Sequence, residues 1–377
     1  MLFSEVIGQE KLAKQLAETV ISNRLSHAWL LFGPEGSGKL PLAIAFAQYI
    51  SCLDRQGTDA CGKCSSCVKY KKLIHPDLHF TFPVNKTRSV TRDNLVSDDF
   101  IASWRTFVQE QPYGGLTQWY DIIEIENRQG IINTEESKLI ASRLGFKAYE
   151  SDYKISIIWQ ADKMNDQAAN KLLKLIEEPP PFTVFILISE NPDHILPTIR
   201  SRCVNLKVPR MDDQSICRAL TENLGLDEEK ALRIARISSG NYLKALNLAN
   251  ESGEGNFNFV RFRDLMRACY SKNLPGIVKT SEELAGLTRE KQKSFLEYGL
   301  ATLRECMAIH FDHPELVYVS DDESEFAYNF APFITERNIM GFSEEFTRAQ
   351  HDIERNGNGR IIFLDLSLSI TSLLKNR

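Results

Sequence analysis

Three glycines and a lysine near the start of the chain have the spacing of a phosphate-binding loop. Gly33, Gly36 and Gly38 lack a side chain, so their backbone N–H groups can approach phosphate oxygens closely. Lys39 adds a mobile positive charge for the β- and γ-phosphates. Leu40 stands where a Ser or Thr hydroxyl would bind Mg²⁺, and leucine cannot ligate the ion. The pattern predicts a phosphate cradle, leaves ATP or ADP binding open and disfavours hydrolysis; the alternative is a glycine-rich turn with an exposed lysine.

Four cysteines with metal-ligand spacing follow this loop: Cys52, Cys61, Cys64 and Cys67. The two-residue gaps put three thiolates within reach of one ion, and Cys52 can supply the fourth ligand. Four sulfur ligands suit tetrahedral structural zinc, with no open position for catalysis. An iron–sulfur cluster also uses such gaps, but the ferredoxin-type cysteine three residues later, followed by proline, is absent from the sequence. The spacing therefore predicts structural zinc, with unliganded thiols as the alternative.

A working P-loop ATPase places an acidic pair after the β-rich run that this chain has at 154–159. Gln160 and Ala161 occupy those positions, and Asp162 comes late, where capping a turn or helix is the simpler role. Arg202, just before another β-rich run, has two interpretations. It can form a structural ion pair, or it can be an arginine finger that reaches a γ-phosphate held by a neighbouring subunit.

The elements that would position these residues follow from hydrophobic periodicity. Alternating β-rich and helical runs over the first 210 residues predict a mostly parallel sheet covered by helices. The predicted strands are 28–32, 154–159, 183–188 and 203–208, and the predicted helices include 41–50 and 166–178. Residues 211–250 are helical in pattern, with a break at Gly240-Asn241, and the polar stretch 251–256 is typical of a linker. Helical periodicity continues beyond it.

Composition limits the class of protein. A length of 377 residues suggests two or three domains, and 43% apolar with 25% charged residues indicates a globular chain. The net charge of −5 argues against coating nucleic acid by bulk charge. The first residues lack the basic and apolar parts of a signal peptide, and no uncharged apolar run reaches the roughly 20 residues of a membrane helix. We expect a cytoplasmic protein with reduced cysteines.

Several motifs in this order resemble the AAA+ subunits of bacterial clamp loaders. The matching stretches are 6–10, 26–34, the four cysteines, 165–174, 177–180 and 196–203. They cover roughly residues 1–84 and 130–250. The resemblance implies an α/β P-loop (AAA+) domain at 1–210 with the zinc module inserted at 52–67. It also implies a small helical lid domain at 211–250 and an all-α collar domain at 251–377.

The resemblance also implies partners and a role. Clamp loaders are pentameric rings of ATP-driven motor subunits, a delta subunit and a stator, which place a sliding clamp on primer–template DNA. The stator does not hydrolyse ATP, and its Ser-Arg-Cys arginine, here Arg202, completes the ATP site of a neighbouring motor subunit. At the position of Leu40, motor subunits carry Ser or Thr; near Gln160 they carry an acidic pair, and at the position of Leu243 an arginine. This chain departs from the motor subunits at all three places, which favours the stator.

Two alternatives belong to other functional classes. The first is a gamma/tau-type motor subunit that binds and hydrolyses ATP with Ser37 or Asp162 as an atypical metal ligand. The second is a zinc-bearing nucleic-acid-binding module unrelated to clamp loading, which the mildly acidic composition disfavours.

Compared with this family, residues from about 85 to 130 are an extra segment. It is rich in aromatic residues, including Trp104, Phe107, Tyr113, Trp119 and Tyr120, and has Lys86, Arg88 and Arg92 near its start. Stacking and charge would suit contact with DNA or a partner. Additional packing on the first domain is the simpler interpretation.

Overall fold

The computed structural model describes residues 1–87, 90–125, 129–250, 254–311 and 321–375. The chain divides into two compact units, unit 1 at Met1–Leu246 and unit 2 at Asn247–Arg377. The borders expected at 210 and 250 divide the chain more finely, and they stay predictions.

Unit 1 is built on a parallel five-stranded sheet. Its strands are β1 (Ala28–Phe32), β2 (Leu78–Thr81), β3 (Lys154–Ile158), β4 (Thr183–Ser189) and β5 (Val204–Lys207), in the order β2-β3-β4-β1-β5. This parallel α/β sheet is consistent with the AAA+ fold. The four predicted strands are confirmed within one or two residues at their ends. β2 was not predicted, because its four residues are too few to show a period.

The helices that begin in unit 1 lie before, between and after the strands, and the first eight contribute residues to the cores on the two faces of the sheet. They are α1 (Glu10–Ile21), α2 (Lys39–Ile50), α3 (Ser65–Lys71), α4 (Ile101–Glu110), α5 (Leu116–Ile122), α6 (Thr134–Leu144), α7 (Asp166–Glu177), α8 (Pro197–Arg200), α9 (Asp213–Leu224), α10 (Glu228–Ser238) and α11 (Tyr242–Ala249). The predicted helix α7 starts after Asn165, whose side chain accepts a hydrogen bond from Ala168 N at 2.8 Å. The prolines after Glu178 prevent its continuation.

The two faces of the sheet have separate cores. Trp29, Leu31 and Ile157 point into the core that contains α1, α2 and the extra segment. Leu30 and Phe185, on the opposite face, pack in the core of α6 and α7. Every residue of α2 is buried, so the helix that follows the phosphate-binding loop is enclosed on all sides. Such enclosure fixes the start of α2, and with it the loop, to the rigid centre of unit 1.

The aromatic residues of the extra segment lie in the core rather than on the surface. Trp104, Phe107 and Trp119 have no exposed area. The Trp104 ring stacks on Phe82 at 4.2 Å between centroids and lies edge-on to Trp119 at 5.3 Å. Rings that are already covered on both faces cannot stack on a nucleic-acid base. These contacts favour the interpretation of the segment as additional packing.

The basic residues at the start of the segment are paired within the chain. Lys86 Nζ donates to Asp93 Oδ1 at 2.5 Å, and Arg92 pairs with Asp99. Arg88, also named as a candidate contact, lies outside the described residues. Lys86 and Arg92, the described basic residues at the start of the segment, are therefore already paired with carboxylates and give no support to DNA binding.

Unit 2 is helical, as its periodicity predicts. Its helices are α12 (Glu254–Tyr270), α13 (Leu274–Ala285), α14 (Arg289–His310), α15 (Asp321–Phe330), α16 (Ile339–Glu354) and α17 (Gly359–Leu373). Phe262, Phe295, Phe342 and Phe346 are fully buried at its centre. The linker predicted at 251–256 is wrong from Glu254 onward, because helix α12 begins there; residues 251–253 lie outside the described chain. A glycine in a polar stretch favours a linker but does not exclude the first turn of a helix.

Across the described residues, no helix is both long enough and apolar enough to span a membrane.

Candidate phosphate-binding loop, metal centre and arginine finger

The predicted phosphate-binding residues form one tight turn between β1 and α2. Gly36 and Gly38 have φ of +66° and +84°, in the left-handed region that favours glycine. Gly33 is needed for space, because a Cβ there would lie 2.1 Å from the carbonyl oxygen of Val208. Since α2 begins at Lys39 directly after Gly38, the turn brings the start of a helix to the loop. The turn therefore has backbone geometry compatible with a phosphate cradle, and phosphate binding stays a prediction.

The side chain of Lys39 is used inside the protein. It is 6% exposed, and its Nζ donates to the carbonyl oxygens of Gly33, at 2.8 Å, and Pro34. Glu190 Oε1 lies 4.0 Å from the same Nζ and accepts a hydrogen bond from Gln160 Nε2 at 2.9 Å. Burial lowers the pKa of Lys39, and the nearby carboxylates oppose that shift. The lysine expected to meet phosphate therefore has acceptors and a counter-charge of its own.

The described surroundings of the loop offer little to a metal ion. Leu40 is 4% exposed and packs in the core of unit 1. Asp162 Oδ1 accepts from Ser189 Oγ at 2.7 Å, and its other oxygen lies 3.2 Å from Lys163 Nζ. The predicted capping role of Asp162 is wrong, because Asn165 caps the next helix and the Asp162 carboxylate is bound by the side chains of Ser189 and Lys163. Ser37 Oγ is buried, with no hydrogen-bond partner among the described residues.

The four predicted metal ligands come together in space. The Sγ atoms of Cys52, Cys61, Cys64 and Cys67 all lie within 4.8 Å of one another. Four sulfurs around one tetrahedral zinc ion, each at about 2.3 Å, would be separated by about 3.8 Å. The cluster is therefore of a size that can hold a structural zinc. Cys203, Cys217, Cys269 and Cys306 are free and buried, as expected of small apolar side chains.

Backbone N–H groups turn toward the sulfurs of this cluster. Cys61 N donates to Cys52 Sγ at 3.3 Å, Cys64 N to Cys61 Sγ at 3.3 Å, and Cys67 N to Cys64 Sγ at 3.4 Å. The N–H groups of Lys63 and Cys64 lower the pKa of the Cys61 thiol to about 7. Such N–H donors stabilise thiolate, which is the form that binds a metal. With four protein ligands and no open position, the site suits a structural rather than a catalytic ion.

Arg202 lies in the turn between α8 and β5, with its side chain 42% exposed. Its Nη2 lies 2.8 Å from Glu177 Oε1, and its Nη1 donates to the carbonyl oxygen of Thr198 at 3.0 Å. Both partners belong to α7 and α8, so the guanidinium is held at the surface by rigid elements. The ion pair expected from sequence is present, and the exposed edge of the guanidinium can still meet an outside group.

The sheet separates Arg202 from the phosphate-binding loop of its own chain. β1 and β5 run parallel, with Trp29 opposite Val204 and Phe32 opposite Lys207. The loop follows the carboxyl end of β1, whereas Arg202 precedes the amino end of β5. At about 3.3 Å per residue, β5 alone places about 13 Å between these two edges. Arg202 therefore cannot reach a phosphate held by Lys39 of the same chain.

The sequence does not indicate that Glu190 and Tyr113 contact the loop, although Tyr113 stands out there as one of the aromatic residues of the extra segment. Glu190 follows β4, and Tyr113 lies between α4 and α5. The Tyr113 ring packs at Gly38, since a Cβ on that glycine would lie 3.2 Å from Tyr113 Cε1. Both contacts join positions far apart in the chain, which local patterns do not reveal.

Comparison with known proteins places the candidate residues within one matched range. A family model described as DNA polymerase III, delta subunit, matches residues 8–212, more than half of the chain. The range contains the phosphate-binding loop, all four clustered cysteines and Arg202.

Curated relatives include subunits with different names. DNA polymerase III subunit delta' of Bacillus subtilis is 29% identical over 214 residues, which cover 57% of this chain and 51% of the relative. Subunit tau of the same organism is 24% identical over 304 residues, covering 75% and 46%. Subunit tau/gamma of Haemophilus influenzae is 23% identical over 255 residues, covering 66% and 30%. The chain thus spans about half, or less, of the length of these relatives, and the identities do not separate the two kinds of subunit.

Proposed function

The chain belongs to the DNA polymerase III delta-subunit family, and from that premise we propose that it is a clamp-loader subunit of the delta-prime type. In this role it is a non-hydrolysing stator in a pentameric ring with motor subunits and a delta subunit. The ring loads the sliding clamp onto primer–template DNA in the cytoplasm. The chain contributes Arg202 to the ATP site of a neighbouring motor subunit.

The position of Arg202 in the fold is the observation that carries this proposal. An exposed, anchored guanidinium on the edge of the sheet opposite to its own loop can act on a phosphate only in another subunit. A planar guanidinium that meets the γ-phosphate in the transition state stabilises its developing charge. Glu177 and Thr198 restrict the arginine before the partner arrives, which lowers the entropy lost on docking.

The loop supports a role without hydrolysis. Leu40 offers no metal ligand, and Gln160 stands where an acidic residue would be needed. Asp162 is bound by Ser189 and Lys163. In this proposal the cysteine cluster holds a structural zinc that orders residues 52–67 and takes no part in chemistry.

Replacing Arg202 with alanine in the reconstituted loader tests the function. We expect hydrolysis at the one ATP site that Arg202 completes to slow by roughly 10³-fold, the lower end of the range for arginine fingers, so that the clamp- and DNA-stimulated turnover of the loader falls by the share of that site. Arg200→Ala is the matched control, because Arg200 lies two residues away, is exposed and pairs with Asp193. Equal turnover of the Arg202→Ala and wild-type loaders, with the ring shown to be assembled, would refute the finger.

The second candidate function is a gamma/tau-type motor subunit, and the similarity to tau subunits supports it. It requires that the chain alone turn over ATP, with Ser37 or Asp162 serving the metal. Steady-state turnover by the zinc-replete chain, compared with Lys39→Ala to exclude a contaminating ATPase, distinguishes the two functions. Turnover that disappears with Lys39 would establish the motor and overturn the stator.

A further inference from the structure

The extra segment contacts the phosphate-binding loop at Gly38 and at Glu35. Tyr113 packs against Gly38, the last glycine of the loop, as its 3.2 Å approach to a Cβ at that position shows. Gly115 lies so close to Glu35 that a Cβ on it would be 2.0 Å from the Glu35 carboxylate. The segment therefore touches the loop at two places, and neither contact has room for an intervening molecule.

Tyr113 is bound in the way that a planar ligand would be. Its hydroxyl accepts a hydrogen bond from the backbone N–H of Ile7 at 2.9 Å. Its ring lies edge-on to Tyr242, with 4.8 Å between centroids, and only 8% of the residue is exposed. A backbone donor, an aromatic neighbour and a glycine floor together make a pocket for a flat ring beside a phosphate loop. In this chain the ring is supplied by the protein itself.

Two other residues of the loop, Gly36 and Lys39, are also in contact with groups of the same chain. Tyr242 N donates to the carbonyl oxygen of Gly36 at 3.1 Å, and a Cβ on Gly36 would lie 1.9 Å from Asn241 Oδ1. Lys39 Nζ is bound by two carbonyl oxygens, with the Glu190 carboxylate at 4.0 Å. A carboxylate beside this lysine supplies the negative charge that a phosphate would bring, and it would repel an incoming phosphate.

We propose that the segment carrying Tyr113 and Gly115 is an internal ligand that fills the nucleotide site, so that the wild-type chain binds neither ATP nor ADP. The inference rests on the proposed stator function and explains how that function is kept independent of nucleotide. It also gives the extra segment a role, which is to hold the loop and the start of α11 in one fixed arrangement. A subunit closed in this way offers Arg202 at a constant position through every ATP cycle of its neighbours.

Opening the pocket by mutation tests the internal ligand. The full-length, zinc-replete chain is titrated with N-methylanthraniloyl-ADP and with ATP, each with and without Mg²⁺. We expect no saturable binding by wild type and saturable binding by Tyr113→Ala. If the closed form holds about 99% of the wild-type molecules, the gain in affinity is roughly 100-fold. Adding Lys39→Ala to Tyr113→Ala should abolish the gain, which shows that the nucleotide occupies the loop.

Tyr120→Ala is the matched control for loosening of the segment. Tyr120 is also buried, but its hydroxyl contacts the backbone of Gly130 instead of the loop. A gain of binding in Tyr120→Ala equal to that in Tyr113→Ala would show general loosening and overturn the proposal. A folded Tyr113→Ala that binds no nucleotide would also overturn it.

A measurement on wild type avoids dependence on the folding of a variant. Acetylation of the native chain by an amine-reactive ester is followed residue by residue by mass spectrometry. We expect Lys39 to be modified at least tenfold more slowly than exposed Lys14, in the absence of nucleotide and with no further change when ATP is added. Rapid modification of Lys39 that ATP suppresses would mean an open site and would refute the internal ligand. Nucleotide binding by wild type without turnover would refute the internal ligand and leave the stator function intact. ATP turnover by wild type would refute both the internal ligand and the stator function.

Discussion

Glu136 shows how strongly burial acts on a single side chain of this protein. It is 2% exposed, near the start of α6. Its Oε2 accepts from Ser97 N at 2.8 Å, and its Oε1 accepts from Thr81 Oγ1 at 3.3 Å. Desolvation raises the pKa of the carboxyl to about 7, although these hydrogen bonds oppose the shift. The residue joins the extra segment to the end of β2, so its protonation bears on how firmly the segment is held.

The pKa of Glu136 predicts a loss of stability as pH rises. The folded pKa, about 7, exceeds the reference value of 4.5, so the protonated carboxyl favours the folded state. The protonated Glu136 carboxyl makes its full contribution to the free energy of unfolding below about pH 4.5. This contribution is lost as the pH rises through 7, and the total loss is about 3 kcal/mol. We expect Glu136→Gln to remove this part of the pH dependence, measured by urea unfolding at pH 5 and pH 8. Tryptophan fluorescence is the probe, because all four tryptophans, Trp29, Trp104, Trp119 and Trp159, lie in unit 1.

Glu135→Gln is the control for this experiment, because Glu135 is adjacent, more exposed and paired with Lys138. The assignment to Glu136 fails if Glu136→Gln and wild type show the same dependence of unfolding free energy on pH.

At the scale of elements, the cysteine module depends on how α2 ends and α3 begins. Cys52 follows the last turn of α2, and the Cys64 side chain accepts from Cys67 N as the cap of α3. The two helices thus set three of the four ligands, since Cys67 lies within α3, and the turn between them supplies Cys61. A bound ion would join these elements at one point. Binding of a structural zinc supplies on the order of 10 kcal/mol to such a module.

Removing one ligand should release the metal and loosen the module. We expect Cys61→Ser to lower the zinc content from about one ion per chain to near zero, because three ligands hold structural zinc much less tightly. Metal content is measured by mass spectrometry after dialysis against a weak chelator, and the thermal midpoint of unit 1 should fall as well. Cys217→Ser, at a buried cysteine outside the cluster, should keep its zinc. Full zinc retention by Cys61→Ser would contradict the site.

The same elements show what sequence reasoning can and cannot reach. Strands β1, β3 and β4 were predictable because apolar runs in a buried parallel sheet are continuous, whereas β5 is a shorter, more polar run that Pro209 marks off. The cysteine cluster was predictable because its ligands are close in sequence, so spacing alone limits their geometry. The contacts of Tyr113 and Glu190 with the loop were not predictable. They depend on how separate elements pack, and no local pattern carries that information.

At the scale of the whole molecule, the core residues of unit 1 and those of unit 2 form separate clusters. Unit 1 contains the sheet, with a core on each of its faces, and all the candidate site residues, and unit 2 has a helical core with Phe262 and Phe346 near its centre. A unit with its own core can unfold as a unit. A single free energy of unfolding is then a poor description of the full chain.

Metal removal should therefore affect one unit and spare the other. We expect a strong chelator to lower the urea midpoint of tryptophan fluorescence, since that probe and the zinc module lie in unit 1. The reactivity of Cys269 and Cys306, both buried in unit 2, should follow an unchanged midpoint when alkylation is mapped by mass spectrometry. A common shift of both midpoints would mean that the units unfold together.

The complete burial of α2 also bears on ancestry. If the chain descends from an ATPase, its path back is blocked by more than the missing hydroxyl. Placing Thr at Leu40 would put a polar group in an apolar core, and under the proposed internal ligand it would have no metal to bind while Tyr113 and Glu190 remain in place. Under this proposal, a change at Leu40, Tyr113 or Glu190 brings no ATPase activity until the other two are also made, so selection would not favour these changes one at a time. If the proposed internal ligand closes the loop, it would act as an evolutionary ratchet against the return of ATPase activity.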